Sequence, residues 1–529
     1  MLKTRGEFRL LALAGLAVSA GMLLFLGKAP LYLEEPRRAV IAMEIAWSGN
    51  YWAPTLFGEW YYNKPPVFNW LLLVFQGFGR MLGDGPFHEF WLRLPTVLSV
   101  LVIAGLIYRV GKYEVHRLFG ARAGLLFLTF GGTLLFFSAL AEIDLFYALL
   151  VFAGMLSTWY FGRQQAYLAL FLSAYCFCAL GLLTKGLPSL VFTAITLLVY
   201  FIDQRRVGKL FSLAHVLGVL LLGILVGGYI FKYSQYHSPE YLLRNLVGES
   251  VRRTPASAPL LALPGHFILF PLNILMDMLP GSLTGLLLLR RDVREVLLER
   301  HPFIRFCTLM LLANLLLYWI SPGTRIRYVY PLFPFMAILL AWAYELRAEA
   351  PVWANIWMEK IMGGIFFAAG ILAFTLIFFR ELHFLTYLTP LAVGSAVGFW
   401  VLWWTRRRNP GRPLALLFLA MALGRLLFDL VAIPQRAYAS GAQRDKDLAI
   451  QIHQLTDDRP LYLYGEDKVI SYSTCFYLNR QRKQPVLLQD QLQQDQYYLM
   501  PASMAGPRDS VLLRTLYGEV EKVLILKRY

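Results

Sequence analysis

Charge is scarce in this chain: Asp, Glu, Lys and Arg make up 16% of its 529 residues, while hydrophobic residues make up 58%. A soluble domain carries about 25% charged residues and about 45–50% apolar ones, so the composition excludes an ordinary water-soluble enzyme. Acidic side chains are the scarcer sign, 33 against 50 basic, which leaves a formal charge of +17. In a nucleic-acid binder that surplus would sit on a polar surface. Here it sits between long apolar runs, and residues 440–529, with 12 basic and 11 acidic side chains, hold only +1 of it. Nucleic acid is therefore excluded as a partner, and the basic residues read as cytoplasmic anchors of a membrane protein.

Cysteine is scarce too. Cys176, Cys178, Cys307 and Cys475 are too few and too scattered for a disulfide framework or a zinc site, and three of them lie in apolar runs as small hydrophobes. The chain also lacks a Gly-rich phosphate loop, a dinucleotide fingerprint and a paired-His metal motif. Neither an internal repeat nor a low-complexity stretch is evident.

What the chain has is apolar length. A membrane-spanning helix takes about 20 apolar residues, and such runs fall near 10–27, 92–108, 123–140, 145–161, 167–182, 188–202, 212–231, 266–289, 303–320, 331–346, 361–379, 386–404 and 413–431. The pattern predicts an α-helical polytopic membrane protein with about 13 spans. Lys3, Arg5 and Arg9 precede the first run in the manner of a signal peptide, but its apolar stretch continues past Ala20 and reads as an uncleaved span.

Topology turns on one more apolar stretch, Pro66 to Leu82. Basic clusters at Arg109–Arg122, Arg205–Lys209, Arg290–Arg305 and Arg406–Arg412 fall on one side of the membrane only if this stretch does not cross. It is short and bounded by Pro65-Pro66 and Gly83-Asp84-Gly85, so it is expected to lie in the outer interface within an external segment at 31–91. The N-terminus is then cytoplasmic. Residues 1–435 are expected to form the membrane domain and 436–529 a small extracytoplasmic α/β domain. Its strands are expected at Pro460–Tyr464, Pro485–Leu488, Tyr497–Met500 and Lys522–Lys527, and its helices at Val469–Leu478 and Arg508–Tyr517.

On the outer side, five separated segments bring ionisable residues to span ends, where such groups are costly and point to function. They are Glu34, Glu35 and Arg37 after the first span; Tyr61, Tyr62, Asn63 and Lys64 ahead of the interfacial stretch; Glu142 and Asp144; Lys185 in Leu-Thr-Lys-Gly; and Arg325, Arg327 and Tyr328. Each alone has a structural reading, as a helix cap or an interfacial anchor. Together they offer cations that hold phosphate oxygens and carboxylates that take a proton from a hydroxyl. A lipid-borne phosphate substrate fits this set better than a soluble nucleotide. Arg425 and Asp429, four apart in the last run, read as an intrahelical pair.

These motifs resemble a known family, the bacterial aminoarabinose transferases and their protein O-mannosyltransferase-like relatives in the C-type glycosyltransferase superfamily. An Asp-Glu-x-Arg motif corresponds to Glu34-Glu35-Pro36-Arg37, Glu-Lys-Pro-Pro to Asn63-Lys64-Pro65-Pro66, and Leu-Thr-Lys-Gly to Leu183–Gly186. The acidic turn after the third span matches Asp144, and an Arg-Tyr turn matches Arg327-Tyr328. The likeness covers residues 1 to about 345 well, and the rest in architecture only.

The resemblance implies inverting transfer of a sugar from a polyprenyl phosphate, with undecaprenyl phosphate the indicated carrier, to lipid A, another glycolipid or a protein outside the bacterial inner membrane. Arg37, Lys64, Lys185, Arg325, Arg327 and Tyr328 would hold the donor phosphate. Glu34 or Glu35 would act as base with Asp144 in support, and Tyr61, Tyr62, Asn63 and His266 would border the substrate. Where the acceptor is itself a phosphate, little base catalysis is required. Asn63 replaces a carboxylate that, with a His equivalent to His266, could hold a divalent metal in relatives, so no metal or cofactor is assigned. The competing readings are a transporter or lipid flippase and, among enzymes, a protein O-glycosyltransferase.

Overall fold

The computed structural model describes residues 2–251, 263–322, 324–408, 413–457, 459–465, 470–517 and 520–527. Arg412 and Val469, each part of a segment named above, lie outside them. Helix α1 (Leu2–Leu24) leads to α2 (Glu35–Ser48), a hairpin of β1 (Thr55–Leu56) and β2 (Glu59–Trp60), and α3 (Val67–Met81). Then follow α4 (Glu89–Glu114), α5 (Arg117–Leu128), α6 (Ile143–Arg163), α7 (Tyr167–Lys185), α8 (Pro188–Asp203), α9 (Leu213–Ser234) and α10 (Pro239–Val251). Helices α11 (Leu263–Asp277), α12 (Val293–Leu298), α13 (Pro302–Trp319), α14 (Phe333–Glu345), α15 (Val352–Thr375), α16 (Leu388–Arg408) and α17 (Pro413–Leu427) complete the apolar part. The remainder is α18 (Ile433–Ala439), α19 (Ala442–Thr456), β3 (Leu461–Tyr464), α20 (Tyr472–Arg482), β4 (Leu487–Gln489), β5 (Tyr497–Pro501), β6 (Ser510–Tyr517) and β7 (Val520–Leu526).

Among the described residues nine helices are long and apolar enough to cross a membrane, or ten when α5 and the bent Gly132–Ala139 segment count as one. Three further expected runs form helices too short to reach that length: α8, α11 and α14. The count of about 13 from hydropathy is thus not reached by helix length. Along α9, Leu213, Leu220 and Ile224 are each more than half exposed. An apolar helix that leaves such faces uncovered requires an apolar surrounding, and the chain is a multi-pass membrane protein.

Two compact units divide the chain. The first holds residues 1–25, 96–228 and 243–433. In it α6 packs antiparallel on α7, α7 on α8, α5 on α14, and α1 on α17. Along α6, Tyr147, Ala148, Val151, Phe152 and Met155 repeat at helical spacing and are all buried, Tyr147 against Phe192 of α8 and Phe152 against Phe335 of α14. Helix α14 is buried on every side from Phe333 to Tyr344, which explains how a short apolar helix is retained in a core. Arg425 and Asp429 pair as expected, Nε to Oδ2 at 2.8 Å, and both are buried. Arg425 also donates to Ser138 Oγ (2.8 Å) and to the Leu134 carbonyl, tying α17 to the irregular stretch that precedes Asp144.

The second unit holds residues 26–95, 229–242 and 434–529. Its five-stranded sheet has the order β4-β3-β5-β7-β6. Strands β4 and β5 flank β3 in parallel, and β7 pairs antiparallel with β5 and β6. Tyr498, Met500, Val523 and Ile525 form its core on one face. Arg508–Tyr517, expected as helix, is instead mostly strand β6. Its apolar residues fit a 3–4 spacing, but pairing with β7 from Ser510↔Leu526 to Tyr517↔Val520 decides the conformation.

Within this unit α2 packs on α3 and α20. Buried Glu44 accepts from Thr55 Oγ1 (2.6 Å), Phe57 N (2.6 Å) and Gly58 N (3.2 Å), gathering the turn of the β1–β2 hairpin. That turn needs left-handed backbone at both central residues, Phe57 (φ 61°) and Gly58 (φ 85°). A phenylalanine there costs about 1–3 kcal/mol. It is held by the Glu44 carboxylate, by Leu488 N–H donating to the Phe57 carbonyl at 2.9 Å, and by stacking on Tyr472.

Candidate functional site

The predicted residues fall in both units, and each set has its own geometry. In the first unit, the turn between α6 and α7 is short, with Gln165 in left-handed backbone. Asp144 and Lys185 lie about equally far from it along two antiparallel helices, so residues 41 apart in sequence meet at the far end of the hairpin. Lys185 Nζ donates to Asp144 Oδ1, and both side chains are buried, at 8% and 3% exposure. Asp144 occupies the first turn of α6 and Lys185 the last turn of α7, the ends at which helix dipoles favour an anion and a cation respectively.

The surroundings of the pair are aromatic and cationic. Lys185 Nζ lies 4.9 Å from the Tyr147 ring centroid and 5.0 Å from that of Tyr328, within cation–π range. Arg327 Nη1 reaches Asp144 Oδ2 at 4.0 Å. Lys185 and Arg327 therefore share one carboxylate, and the trio carries a net charge of +1. Gly186 ends α7 at φ 97° and ψ −156°, a conformation that a side chain resists, which explains the glycine after the lysine. Before Asp144, Thr96 Oγ1 accepts from Glu142 N (3.1 Å) and donates to Glu142 O (3.2 Å), fixing the approach to α6. Arg325 is exposed and makes no ion pair among the described residues. His266 Nε2 lies 3.4 Å from the Tyr318 carbonyl and its ring stacks on Phe270, the setting of a helix-end residue. Among the described residues no three His, Cys, Asp or Glu side chains gather as a metal would require.

In the second unit, the adjacent glutamates at the start of α2 have different surroundings. Glu35 is fully buried, and its two oxygens accept from Arg93 Nε (2.8 Å) and Nη2 (3.0 Å) and from Tyr32 N (2.8 Å). Arg93, also buried, donates further to the carbonyls of Leu26, Ala29 and Pro30 at 2.8–2.9 Å. This pair closes the turn between α1 and α2. Glu34 pairs with Arg37 one turn on, at 40% and 25% exposure. Pro36 in the first turn of α2 is as expected.

Lys64 is partly buried just ahead of Pro65-Pro66, where α3 begins. Tyr61 is buried against Ile41 and Ile45, a core position, while Asn63 is exposed. The Tyr62 hydroxyl bonds His237 Nε2 at 2.8 Å, and Trp60 stacks on the His237 ring at 4.8 Å. Hydropathy and motif spacing passed over Arg93, Tyr147 and His237. For Arg93 a signal existed, a lone cation at the edge of an apolar run; for the other two there was none.

Comparison with known proteins bears on this arrangement. The family model described as dolichyl-phosphate-mannose-protein mannosyltransferase matches residues 63–229. An undecaprenyl phosphate-alpha-4-amino-4-deoxy-L-arabinose arabinosyl transferase of Edwardsiella ictaluri is 29% identical over 329 residues, 58% of this chain and 54% of that protein. One from Aeromonas salmonicida is 26% identical over 355 residues, covering 64% and 62%. The chain thus spans between half and two thirds of the length of these curated relatives. ArnT from Cupriavidus metallidurans, solved bound to undecaprenyl phosphate, superimposes with a TM-score of 0.72 over 97% of each chain at 20% identity. The chain has the ArnT-like C-type glycosyltransferase fold.

Proposed function

We propose that this chain is a membrane glycosyltransferase that moves a sugar from undecaprenyl phosphate to an acceptor outside the bacterial inner membrane. The observation that carries the reading is the trio of Asp144 and Lys185, both with buried side chains, and partly exposed Arg327, whose net positive charge sits at the end of an apolar helical hairpin. In such a place a fixed cation is stabilised by the anion it receives, and a lipid phosphate is the anion at hand. The relatives with arabinosyl transferase names support the same carrier and make 4-amino-4-deoxy-L-arabinose the first sugar to test.

In the reaction an acceptor oxygen attacks the anomeric carbon, the bond from that carbon to the phosphate oxygen breaks, and undecaprenyl phosphate leaves with inversion. Charge grows on the leaving phosphate. Lys185, Arg327 and Lys64, with Arg37, Arg325 and Tyr328 in lesser roles, are assigned to stabilise it. Asp144 is a positioning residue that aims Lys185. Where the acceptor is a hydroxyl, its proton passes to Glu34. Supporting Glu34 over Glu35 is the commitment of Glu35 to buried Arg93. Lipid A is the favoured acceptor, with a glycosylated protein the rival. The basic loops support a cytoplasmic N-terminus and an extracytoplasmic 436–529 segment.

Purified protein supplied with undecaprenyl-phosphate-linked aminoarabinose and lipid A should release undecaprenyl phosphate and add one sugar to lipid A. Mass spectra of lipid A and of periplasmic proteins from a deletion strain then identify the natural acceptor. Unchanged spectra of both fractions, with no donor turnover in vitro, would overturn the reading.

A further inference from the structure

The opposite ends of α6 and α7 hold a second constellation that the transfer reaction does not use. By helical rise, Arg163 lies about 28 Å along α6 from Asp144, so this region is far from the proposed phosphate site. A polar cavity of about 460 Å³ opens there, lined by Glu114, Arg163, Tyr167, Tyr200, Arg206 and His301 among others. Beside it runs a larger groove of about 750 Å³, lined mainly by apolar side chains such as Leu106, Val110, Leu156 and Phe177. The two share Tyr113, Glu114, Trp159 and Arg163 as walls, so a polar chamber and a mainly apolar slot border the same four side chains.

The charges of this chamber are not balanced. Glu114 is saturated: both its oxygens accept from Arg163 Nη1 (2.5 and 2.6 Å), and one also accepts from Trp159 Nε1 (3.0 Å). His301 takes no part in anion balance. Its Nδ1 accepts from Phe303 N, so Nε2 carries the proton and donates to the Glu114 carbonyl at 3.0 Å. Arg206 donates to the Tyr167 hydroxyl, and among the described residues neither Arg206 nor Arg109, which lines the slot, has a carboxylate partner. Lys209 adds a further cation above the Tyr167 ring at 4.9 Å. Glu114 is therefore the one carboxylate among the lining residues, against Arg163 and Arg206 in the chamber and Arg109 in the slot.

We propose that this site binds an anionic glycerophospholipid, with the headgroup phosphate held by Arg206 and Arg163 and an acyl chain lying in the Leu106–Phe177 slot. A phosphodiester with a bulky apolar tail matches both the charge excess and the adjacency of a polar chamber to a mainly apolar slot, whereas free inorganic phosphate would leave the slot unused. Bound lipid would brace the α4, α6 and α7 ends and so the hairpin that carries Asp144 and Lys185. The site stands whether or not the chain transfers sugar.

Native mass spectrometry of the full chain in mild detergent tests this directly, with palmitoyl-oleoyl phosphatidylglycerol and phosphatidylcholine as probes. Wild type should retain phosphatidylglycerol preferentially. Arg206→Ala should lower its retention on the order of fivefold while leaving phosphatidylcholine unchanged. Ala153→Trp, which fills the slot without altering a charge, should weaken phosphatidylglycerol as well. Equal retention of the two lipids by wild type overturns the proposal, as does an unaltered preference in Arg206→Ala. Competition by inorganic phosphate as strong as that by phosphatidylglycerol would show a bare anion site and refute the lipid assignment.

Discussion

Replacing Glu35 by glutamine separates architecture from catalysis at the start of α2. In the native protein both carboxylate oxygens hold Arg93, and neither side chain is more than 2% exposed. The glutamine side chain would keep one acceptor oxygen and turn a donor toward the guanidinium, so Arg93 would lose its countercharge while keeping the carbonyls of Leu26, Ala29 and Pro30. Breaking one partner of a buried ion pair costs about 3–5 kcal/mol. The surviving carbonyl bonds put this case at about 3 kcal/mol. The expected result is a clear drop in apparent melting temperature in detergent, with transfer retained in whatever protein stays folded. Arg93→Met combined with Glu35→Leu removes the charge but should not recover the loss, because the carbonyls of Leu26, Ala29 and Pro30 and the Tyr32 N–H would lose their partners. Glu34→Gln should behave in the opposite way, with native stability and no transfer to a hydroxyl acceptor. If Glu35→Gln melts like wild type and is inactive, while Glu34→Gln is active, the assignment of the two glutamates is reversed and the reasoning from burial fails.

Lys64→Ala, Lys185→Ala and Arg327→Ala should each lower transfer by on the order of 30-fold to 1,000-fold, from about 2–4 kcal/mol of lost transition-state stabilisation; wild-type turnover in all three would reduce these cations to interfacial anchors. Cysteine labelling in intact cells should find Asp84 and positions in 440–529 accessible from outside and Arg117 only after permeabilisation; a cytoplasmic Asp84 would undo the outer-side assignment. Burial pushes the Glu44 carboxyl above its usual range despite the opposing Thr55, Gly58 and Phe57 hydrogen bonds. The stability linked to it is present below the ordinary carboxylate range and declines as pH rises through the raised value. Melting temperatures from acid to neutral pH should show that decline in wild type and a flatter profile in Glu44→Gln, and identical profiles would refute the linkage.

The sequence exposed those parts of the site whose partners share a local pattern. Asp144 and Lys185 stood out because each is a charge at the end of a long apolar run, and two runs joined by a short turn bring such ends together. Glu35 and Glu34 were not separable, because what divides them is Arg93, 58 residues away, and nothing local reports that contact. Strand β6 was misread for a related reason. Its side chains are largely exposed on both faces, so no alternation marks it and its partner strand dictates its form. Hydropathy counts more runs than there are long helices because it registers apolar residues and not helical length: α14 is a run of 13 residues enclosed by other helices.

The contact of Phe57 with Leu488 and Tyr472 sets a timetable for biogenesis. Residues 26–95 leave the ribosome first, yet residues 434–529, which complete the same unit, follow about 340 residues later. At roughly 5–20 residues per second that interval lasts roughly 20 to 70 s. Until then the left-handed Phe57 lacks the stacking and the backbone bond that offset its strain, and the α2 face that meets α20 has nothing to cover it. The early segment must therefore wait in an immature form, open to chaperones and proteases, which makes maturation of this unit sensitive to the speed of translation through the intervening helices.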